Sequence, residues 1–243
     1  MKIYLFDIDG TLTPARKVME NNFHNFFSTW IKTHRTFLVG GSDYEKIKEQ
    51  VPSDIINECS GVFSCMGNMF HIMDELIYKK ENQLPNECLE FLQKKLNETK
   101  YNDLGKLHFE FRTGTVNFSV VGRDVSYDNR LKYYQWDKIH NERKSIADEF
   151  NKTFSSIGYE AKIGGQISLD IQKIGHDKSQ VIDYLKSKFT NVEFEFYGDK
   201  TFEGGNDYDL AQKIIKDKVG KYYQVSDPNE CMSLLNAVVA QLD

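Results

Sequence analysis

Residues 5–13 read LFDIDGTLT and join the end of an apolar run to two acidic side chains and a glycine. The apolar residues Ile3–Phe6 are typical of a strand buried inside a parallel sheet. Because side chains alternate along an extended segment, Asp7 and Asp9 can lean toward the same region. Gly10 then permits a sharp turn of the backbone. This pattern predicts a site at the end of a strand.

The two aspartates need a partner of opposite charge, because neighbouring carboxylates repel each other unless a cation or a shared proton relieves them. Carboxylate oxygens are hard ligands, so we expect Mg²⁺ near Asp7 and Asp9. An alternative interpretation of Asp-x-Asp-Gly is a turn held by hydrogen bonds to the aspartate side chains. The apolar strand before the motif and Thr11–Thr13 after it favour the site.

Composition sets the outer limits of the prediction. The chain has 243 residues, 40% of them hydrophobic, which is enough for one large core or two modest cores. Its formal net charge of −5 argues against nucleic acid or an anionic membrane as the main partner. We find no 18-residue apolar run, and the first strand starts too early for a signal peptide, so we expect a cytoplasmic protein. The four cysteines are scattered, and we expect them to be reduced.

Strands and helices alternate at both ends of the chain, as in a parallel sheet covered by helices. The predicted elements of the first part are a strand at 3–6, a helix at 18–34, a strand at 36–39, a helix at 44–50, a strand from 61 and further strand within 69–77. Those of the last part are a helix from 178, a strand at 192–196, a helix ending near 218, a strand at 222–225 and a helix from 228.

The middle of the chain has a different pattern. Helices are predicted at 87–97 and 128–154, and antiparallel hairpins at 107–121 and 159–172, each turning at a glycine. We therefore predict an α/β fold with a core domain of residues 1–81 and 176–243 and an inserted α+β domain of residues 82–175.

Two further turns belong to the predicted site. Gly40–Asp43 precedes a helix whose N-terminal N–H groups can bind an anion, so Ser42 is a candidate phosphate ligand. The alternative is a tight turn with Ser42 or Asp43 as the helix N-cap. Asp199 ends another strand, and because carboxyl ends of parallel strands gather at one edge, it can join Asp7 and Asp9.

Arginines are the third group of candidates. Arg112, Arg123 and Arg130 lie in or near the first predicted hairpin of the insertion. A guanidinium group binds a phosphate dianion through two hydrogen bonds, so an inward-facing cluster would hold a second, non-reacting phosphate. The alternative is that these side chains are simply solvated.

Four motifs in order resemble those of the haloacid dehalogenase superfamily: DIDGT at 7–11, GGSD at 40–43, GHDK at 175–178, and GD at 198–199 with ND at 206–207. The resemblance implies a Rossmann-like core in which Asp7 attacks phosphorus, Asp9 is the general acid and base, and Lys178 keeps Asp7 ionised. Lys178 taken alone is typical of an exposed cation at a helix start. The implied metal set is Asp7, Asp9 through its backbone carbonyl, Asp199, Asn206 and Asp207.

Over nearly its whole length the chain resembles one family within that superfamily, the eukaryotic-type phosphomannomutases. The matching stretches are FRTG at 111–114, GR at 122–123, GGQISLD at 164–170 and YGDKT at 197–201. The resemblance implies a cap that closes over a hexose phosphate, a homodimer formed through the cap, activation by a hexose 1,6-bisphosphate and interconversion of mannose 6-phosphate and mannose 1-phosphate. The residues it assigns to the substrate or its distal phosphate are Arg16, Arg112, Arg123 and Arg130, and those it assigns to the sugar or phosphate within the cap are Asn117, Ser168 and Asp170.

Other activities remain open at this point. A Mg²⁺-dependent sugar phosphatase or a phosphoglucomutase would use the same core motifs. A regulatory protein without activity is a third hypothesis, and the presence of both Asp7 and Asp9 disfavours it. The chain departs from the family pattern at Ser64–Asn68, where Pro-Glu-Asn-Gly is common, and at His176, where a tryptophan is usual.

Overall fold

The computed structural model describes residues 1–81 and 83–239. The chain divides into a first unit, Met1–Lys80 with Gly175–Asp243, and a second unit, Glu81–Ile174. Each junction lies one residue before the domain boundary expected from the sequence. The expected boundary residue Asn82 lies outside the described residues, as does the segment 240–243.

The strands in chain order are β1 (Lys2–Phe6), β2 (Thr36–Val39), β3 (Gly61–Ser64), β4 (Met69–Ile72), β5 (Glu75–Lys79), β6 (Phe109–Arg112), β7 (Thr115–Ser119), β8 (Tyr159–Gly164), β9 (Ser168–Lys173), β10 (Glu193–Gly198) and β11 (Gly220–Gln224). The helices are α1 (Asn21–Thr33), α2 (Tyr44–Gln50), α3 (Ser53–Glu58), α4 (Asn86–Glu98), α5 (Tyr127–His140), α6 (Glu142–Phe154), α7 (Gln180–Lys188), α8 (Tyr208–Lys216) and α9 (Pro228–Val239).

The first unit is built on a seven-stranded sheet with the order β11-β10-β1-β2-β3-β4-β5. The strands from β11 to β3 run parallel, and β4 and β5 extend the sheet antiparallel. Tyr4 and Phe6 of β1 pack in one cluster with α1, α2, α3 and α9, whereas Ile3 and Leu5 pack in another with α7 and α8. Helices cover both faces of β1, so its sequence is continuously apolar instead of alternating. The predicted α/β fold is confirmed.

The order of the strands places a crevice at the end of β1. From β1 the chain passes to β2 on one side, and it later returns to pair with β1 on the other side through β10. In an open α/β sheet, the carboxyl ends of strands at such a change of direction form the binding crevice. The backbone N–H of Asp7 donates to the carbonyl of Tyr197 at 2.9 Å, which fixes the two strand ends side by side.

The second unit has an antiparallel sheet with the order β6-β7-β9-β8. Alternate residues such as Val116 and Phe118 pack with α4, α5 and α6 in one apolar cluster, which includes Cys88. The residues between them face the other side of the sheet, where Glu110, Asn117, Asp170 and Lys162 lie in register across the four strands. Both predicted hairpins are confirmed by this pairing.

The observed elements differ from the predicted ones at several points. The strand predicted within 69–77 is the hairpin of β4 and β5, which turns at Met73 with a φ of 54°. Helix α3 was missed, and α7 begins two residues after Lys178. Among the described helices, none is both long and apolar enough to cross a membrane.

The single helix predicted at 128–154 is in fact two helices that meet at Asn141, which has the left-handed φ of 54°. A buried ion pair fixes this corner, the change of direction between α5 and α6 at Asn141. Asp137 accepts hydrogen bonds from the backbone N–H of Arg143 at 2.9 Å and from its Nε at 2.8 Å. The spacing of apolar residues does not reveal this break, because the segment is polar throughout and a polar helix and a polar corner have the same composition.

Candidate active site

Three carboxylates meet at the carboxyl ends of β1 and β10. Asp7 follows β1, Asp199 follows β10, and Asp207 precedes α8. One oxygen from each carboxylate lies within 4.8 Å of the others. Asp7 and Asp207 are buried, and Asp199 is partly exposed. The structure therefore brings together three of the residues that the sequence assigned to one site.

Lys178 lies between two of these carboxylates. Its Nζ donates to Asp7 Oδ1 and, at 2.6 Å, to Asp207 Oδ1. The side chain is completely buried, so its interpretation as an exposed cation at a helix start was wrong. Burial alone would lower the pKa of Lys178, but Asp207 and Asp7 raise it above its usual value. The ammonium group is therefore a fixed positive charge beside Asp7.

Burial makes two of these carboxyl groups, those of Asp7 and Asp199, harder to ionise. Burial, followed by the charge of Asp207, raises the pKa of Asp7, and Lys178 opposes both effects. Burial also raises the pKa of Asp199, while a hydrogen bond from Lys200 lowers it. The Thr11 hydroxyl donates to Asp7 Oδ2 at 3.4 Å. Additional positive charge would stabilise the ionised form of both carboxylates.

The donor set fits a divalent cation that prefers oxygen. Within residues 1–81 and 83–239, the buried Oδ1 atom of Asp199 has no hydrogen-bond partner. Its other oxygen, Oδ2, accepts a hydrogen bond from Lys200 Nζ at 2.6 Å. A buried carboxylate oxygen without a partner is costly unless a ligand satisfies it. Asp7, Asp199 and Asp207 supply the hard oxygen atoms that Mg²⁺ binds.

Gly10 is required at this site for two reasons. Its φ of +91° is a backbone conformation that side chains disfavour, and a Cβ atom there would lie 2.5 Å from Asp199 Oδ2. The turn therefore lets the acidic residue of the neighbouring strand approach the backbone directly.

Asp9 is held by the loop that follows it. Its Oδ1 accepts hydrogen bonds from the backbone N–H of Arg16 at 2.6 Å and from Gln50 Nε2 at 2.7 Å. The interpretation of the motif as a turn is therefore partly right, since this aspartate does fix the loop. Arg16 contacts the site through its backbone, and its side chain is exposed.

The Gly40–Asp43 turn ends β2 and begins α2. Asp43 caps the helix by accepting from the N–H of Lys46 at 3.0 Å, as the N-cap alternative proposed. Ser42 is partly buried, and its carbonyl accepts from the N–H of Cys65 at 2.8 Å. A Cβ atom at Gly41 would lie 3.6 Å from Asn206 Nδ2, so Asn206 borders this turn.

The segment that departs from the family pattern lies against the same turn. Cys65, Met66 and Gly67 have successive positive φ angles of 50°, 60° and 84°. The backbone N–H of Met66 donates to the carbonyl of Gly40 at 3.1 Å, and Gln180 Nε2 donates to the carbonyl of Met66 at 2.7 Å. Strained backbone persists only where its surroundings fix it, and it often occurs at functional sites.

The polar face of the second unit gathers several more candidates. Asn117 Nδ2 donates to Asp170 Oδ1 at 2.6 Å. Arg123 Nη1 donates to Asn117 Oδ1 and, at 3.5 Å, to Ser168 Oγ. Arg130 donates from Nη2 to the carbonyl of Arg123. These predicted substrate residues therefore form one hydrogen-bonded network.

An acidic residue that the sequence argument missed belongs to this network. Glu110 Oε2 accepts from Arg123 Nε and, at 2.8 Å, from Arg112 Nη2. The side chain of Arg112 is 41% exposed, against 25% for Arg123, so the expectation of solvation applies better to Arg112.

Gln50 and Lys200 were also missed in the first unit. Gln50 had a recognisable signal, because it lies three residues after the buried Ile47 on the apolar face of α2. A polar side chain at such a position needs a buried hydrogen-bond partner. Lys200 had no such signal, since a lysine after a strand is typical of any surface loop.

Comparisons with known proteins agree with this geometry. A family model described as Eukaryotic phosphomannomutase matches residues 23–241. A phosphomannomutase of Glycine max is 36% identical over 216 residues, covering 86% of each chain. Phosphomannomutase 1 of Dictyostelium discoideum is 32% identical over 249 residues, covering 96% of this chain and 95% of its own.

Solved structures show the same fold at low identity. An Aspergillus fumigatus trehalose-6-phosphate phosphatase superposes with a TM-score of 0.66 at 14% identity, covering 98% of this chain and 92% of its own. A Plasmodium falciparum IMP-nucleotidase has a TM-score of 0.66 at 15% identity, covering 99% of this chain and 67% of its own. The family model spans most of the chain, and the relatives share more than 30% of their residues with it over most of their length. This chain therefore belongs to the eukaryotic phosphomannomutase family.

Proposed function

We propose that this protein is a phosphomannomutase that interconverts mannose 6-phosphate and mannose 1-phosphate through an aspartyl-phosphate and a hexose 1,6-bisphosphate. The observation that carries this proposal is the buried group of Asp7, Lys178 and Asp207 beside Asp199, in a chain of this family. It joins a carboxylate nucleophile to a fixed cation and to oxygen ligands for a metal.

The two aspartates divide the chemistry between them. An oxygen of Asp7 attacks phosphorus, so that an acyl phosphate bond forms while the bond from phosphorus to the sugar oxygen breaks. Asp9 gives its proton to the leaving oxygen and later removes one from the hydroxyl that accepts the phosphoryl group. The contact of Lys178 with Asp7 supports a role in keeping the nucleophile ionised.

The acidic cluster supports Mg²⁺ as the cofactor. We assign its ligands to Asp7, Asp199 and the backbone carbonyl of Asp9, with Asn206 and Asp207 in the same loop region. When bound, Mg²⁺ neutralises charge on the non-bridging phosphoryl oxygens.

The remaining predicted residues are assigned to the substrate. Ser42, at the start of α2, is suited to the reacting phosphate. The side chains that we assign to the non-reacting phosphate and the sugar are Arg16, Arg112, Arg123, Arg130, Asn117, Ser168 and Asp170. The network that links Arg123 to Asn117 and Ser168 supports a shared role for these three. In these terms the second unit acts as the cap domain and the first as the catalytic core.

We further propose a cytoplasmic homodimer, formed through the second unit, that is activated by a hexose 1,6-bisphosphate and supplies mannose 1-phosphate for GDP-mannose formation. All four cysteines are buried thiols, which supports a reducing compartment.

A single experiment separates this function from that of a sugar phosphatase or a phosphoglucomutase. Mannose 1-phosphate and glucose 1-phosphate are each incubated with the enzyme, with and without a hexose 1,6-bisphosphate. Inorganic phosphate and isomerised sugar phosphate are measured in the same samples. We expect isomerisation of mannose 1-phosphate to exceed phosphate release and to be stimulated by the bisphosphate.

Two outcomes would contradict the proposal. Phosphate release that dominates from the start, without stimulation by the bisphosphate, indicates a phosphatase. A clear preference for glucose 1-phosphate indicates a phosphoglucomutase. Asp7→Asn protein, purified in parallel, controls for contaminating activity, because an amide is a poor nucleophile and should form no phosphoenzyme.

A further inference from the structure

Gln50, the last residue of α2, is a buried polar side chain in direct contact with Asp9. It is 7% exposed, and its Nε2 donates to Asp9 Oδ1 at 2.7 Å. The backbone N–H of Arg16 donates to the same oxygen at 2.6 Å. Both hydrogen bonds that the described residues donate to this carboxylate therefore end on Oδ1.

This arrangement makes the two oxygens of Asp9 different. Oδ1 can accept both hydrogen bonds whether the carboxyl group is ionised or neutral. A proton on Oδ1 would point toward two donor hydrogens, so a proton carried by Asp9 belongs on Oδ2. A general acid must present its proton within hydrogen-bond distance of the reacting oxygen, and a fixed Oδ2 meets that requirement.

The residue type at position 50 suits a group that changes its charge during the reaction. A lysine or arginine would favour the ionised carboxylate at every step. A carboxamide donates a hydrogen bond without adding a charge. Gln50 can therefore hold Asp9 both as an acid and as a base.

Helix α2 keeps Gln50 in place. Asp43 caps the first turn of the helix, and Ile47 is fully buried against the core. The carbonyl of Gln50 accepts from the N–H of Met19 at 2.8 Å, which ties the end of the helix to the loop after Asp9. The same short helix thus begins at the candidate phosphate turn and ends at the candidate general acid.

We propose that Gln50 is a positioning residue for proton transfer by Asp9, an inference that rests on the role proposed for Asp9 above. Gln50 fixes Oδ1, and Oδ2 gives its proton to the sugar oxygen as the bond from phosphorus to that oxygen breaks. Loss of Gln50 should therefore slow the steps in which the leaving group needs a proton.

The test compares leaving groups in two variants that keep the length of the side chain. Gln50→Met removes the donor, and Gln50→Glu replaces the neutral amide with a titratable acid. Phosphoenzyme formation is followed by rapid quenching with radiolabelled hexose 1,6-bisphosphate and with radiolabelled acetyl phosphate. The sugar oxygen needs a proton to leave, whereas acetate does not. Since general acid catalysis contributes ~10²- to 10⁴-fold, we expect a loss of about tenfold to a hundredfold with the bisphosphate. Phosphorylation by acetyl phosphate should stay within about twofold of the wild-type rate, because it does not use the acid.

Glu49→Met is the matched control, since it changes the neighbouring exposed residue of the same helix. Asp9→Asn is measured alongside and should show the same dependence on the leaving group, in stronger form. Equal losses on both phosphate donors in the Gln50 variants, with a selective loss in Asp9→Asn, would show that Gln50 is only structural. A loss in Asp9→Asn that does not depend on the leaving group would overturn the role of Asp9, and with it this inference.

Discussion

Lys178 shows what a single buried charge does in this site. It is completely buried and contacts both Asp7 and Asp207. The Lys178→Met variant leaves two buried carboxylates without their cation, which should cost about 3–5 kcal/mol of unfolding free energy. Added Mg²⁺ should restore part of that loss, because it would bring positive charge back to the same oxygens.

Urea unfolding with and without Mg²⁺ measures both effects. Lys188→Met serves as the control, because Lys188 is an exposed cation on α7. If the two variants unfold at the same urea concentration, Lys178 does not hold the carboxylates together in the way the contacts indicate.

At the scale of elements, the turn after β1 depends on Gly10. Ala at this position must adopt a φ of +91° and would bring a Cβ atom within 2.5 Å of Asp199 Oδ2. The backbone conformation alone should cost about 1–2 kcal/mol. We expect Gly10→Ala to weaken Mg²⁺ binding as well, because the clash displaces a carboxylate that we assign to the metal.

Gly158→Ala separates these two effects. Gly158 has a φ of +85°, and a Cβ atom there would meet nothing within 4 Å. It should show the stability loss without the change in Mg²⁺ affinity, both measured on the enzyme without substrate by calorimetry. Equal Mg²⁺ affinity in the two variants would remove Asp199 from the metal site.

A second prediction at this scale concerns the stability that the buried ion pair gives to the corner between α5 and α6. Arg143 and Asp137 form an ion pair in which the side chains are 5% and 8% exposed. The Arg143→Met variant leaves the buried carboxylate of Asp137 without its cation and should lose about 3–5 kcal/mol of unfolding free energy. The next residue supplies the control, because Lys144 pairs with Asp148 at the surface, where such a pair is worth about 0.3–0.5 kcal/mol.

Denaturation curves of Arg143→Met and Lys144→Met compare the two ion pairs directly. Similar midpoints would mean that the corner is held by packing alone, without a contribution from the buried charges.

The elements that the sequence predicted well are those with a strong local signal. The buried run before Asp7 and the glycine turns of both hairpins needed only neighbouring residues to be recognised. The break at Asn141 was missed because the ion pair that fixes it involves side chains in an otherwise polar segment. The parallel order of the sheet followed from the alternation of strands and helices.

The site was most predictable where motifs marked it. Asp7, Asp199, Asp207 and Lys178 come together as the motifs implied. The contact of Gln50 with Asp9 joins residues that are 41 positions apart. No local pattern relates two such positions, because their distance depends on how α2 packs against the end of β1.

At the scale of the whole molecule, the proposed reaction needs both units. A mutase must bind a second phosphate that a small acyl phosphate lacks. Each charge-assisted contact contributes about 1.5–3 kcal/mol, so Arg123→Gln should lower sugar phosphate turnover roughly tenfold to a hundredfold. Hydrolysis of acetyl phosphate should change little, because its single phosphate reacts at Asp7.

Steady-state kinetics on both substrates checks this prediction. Arg35→Gln is the control, since Arg35 is an exposed arginine of the first unit that lies over the ring of Phe189. A loss of equal size on both substrates in Arg123→Gln would contradict the assignment of this arginine to the non-reacting phosphate.

The positions of the buried thiols allow thiol labelling to measure which of the two units unfolds. Cys88 lies in the second unit, whereas Cys59, Cys65 and Cys231 lie in the first. Cys88 is fully buried, and burial raises its pKa to about 11, so a maleimide should reach and modify this thiol only when its surroundings open. The protein is labelled at a series of urea concentrations, and its intact mass is measured. The mass should rise by one label at concentrations that open only the second unit, and by three labels at concentrations that open only the first unit. Simultaneous addition of four labels at every concentration would show instead that the two units unfold as one cooperative body.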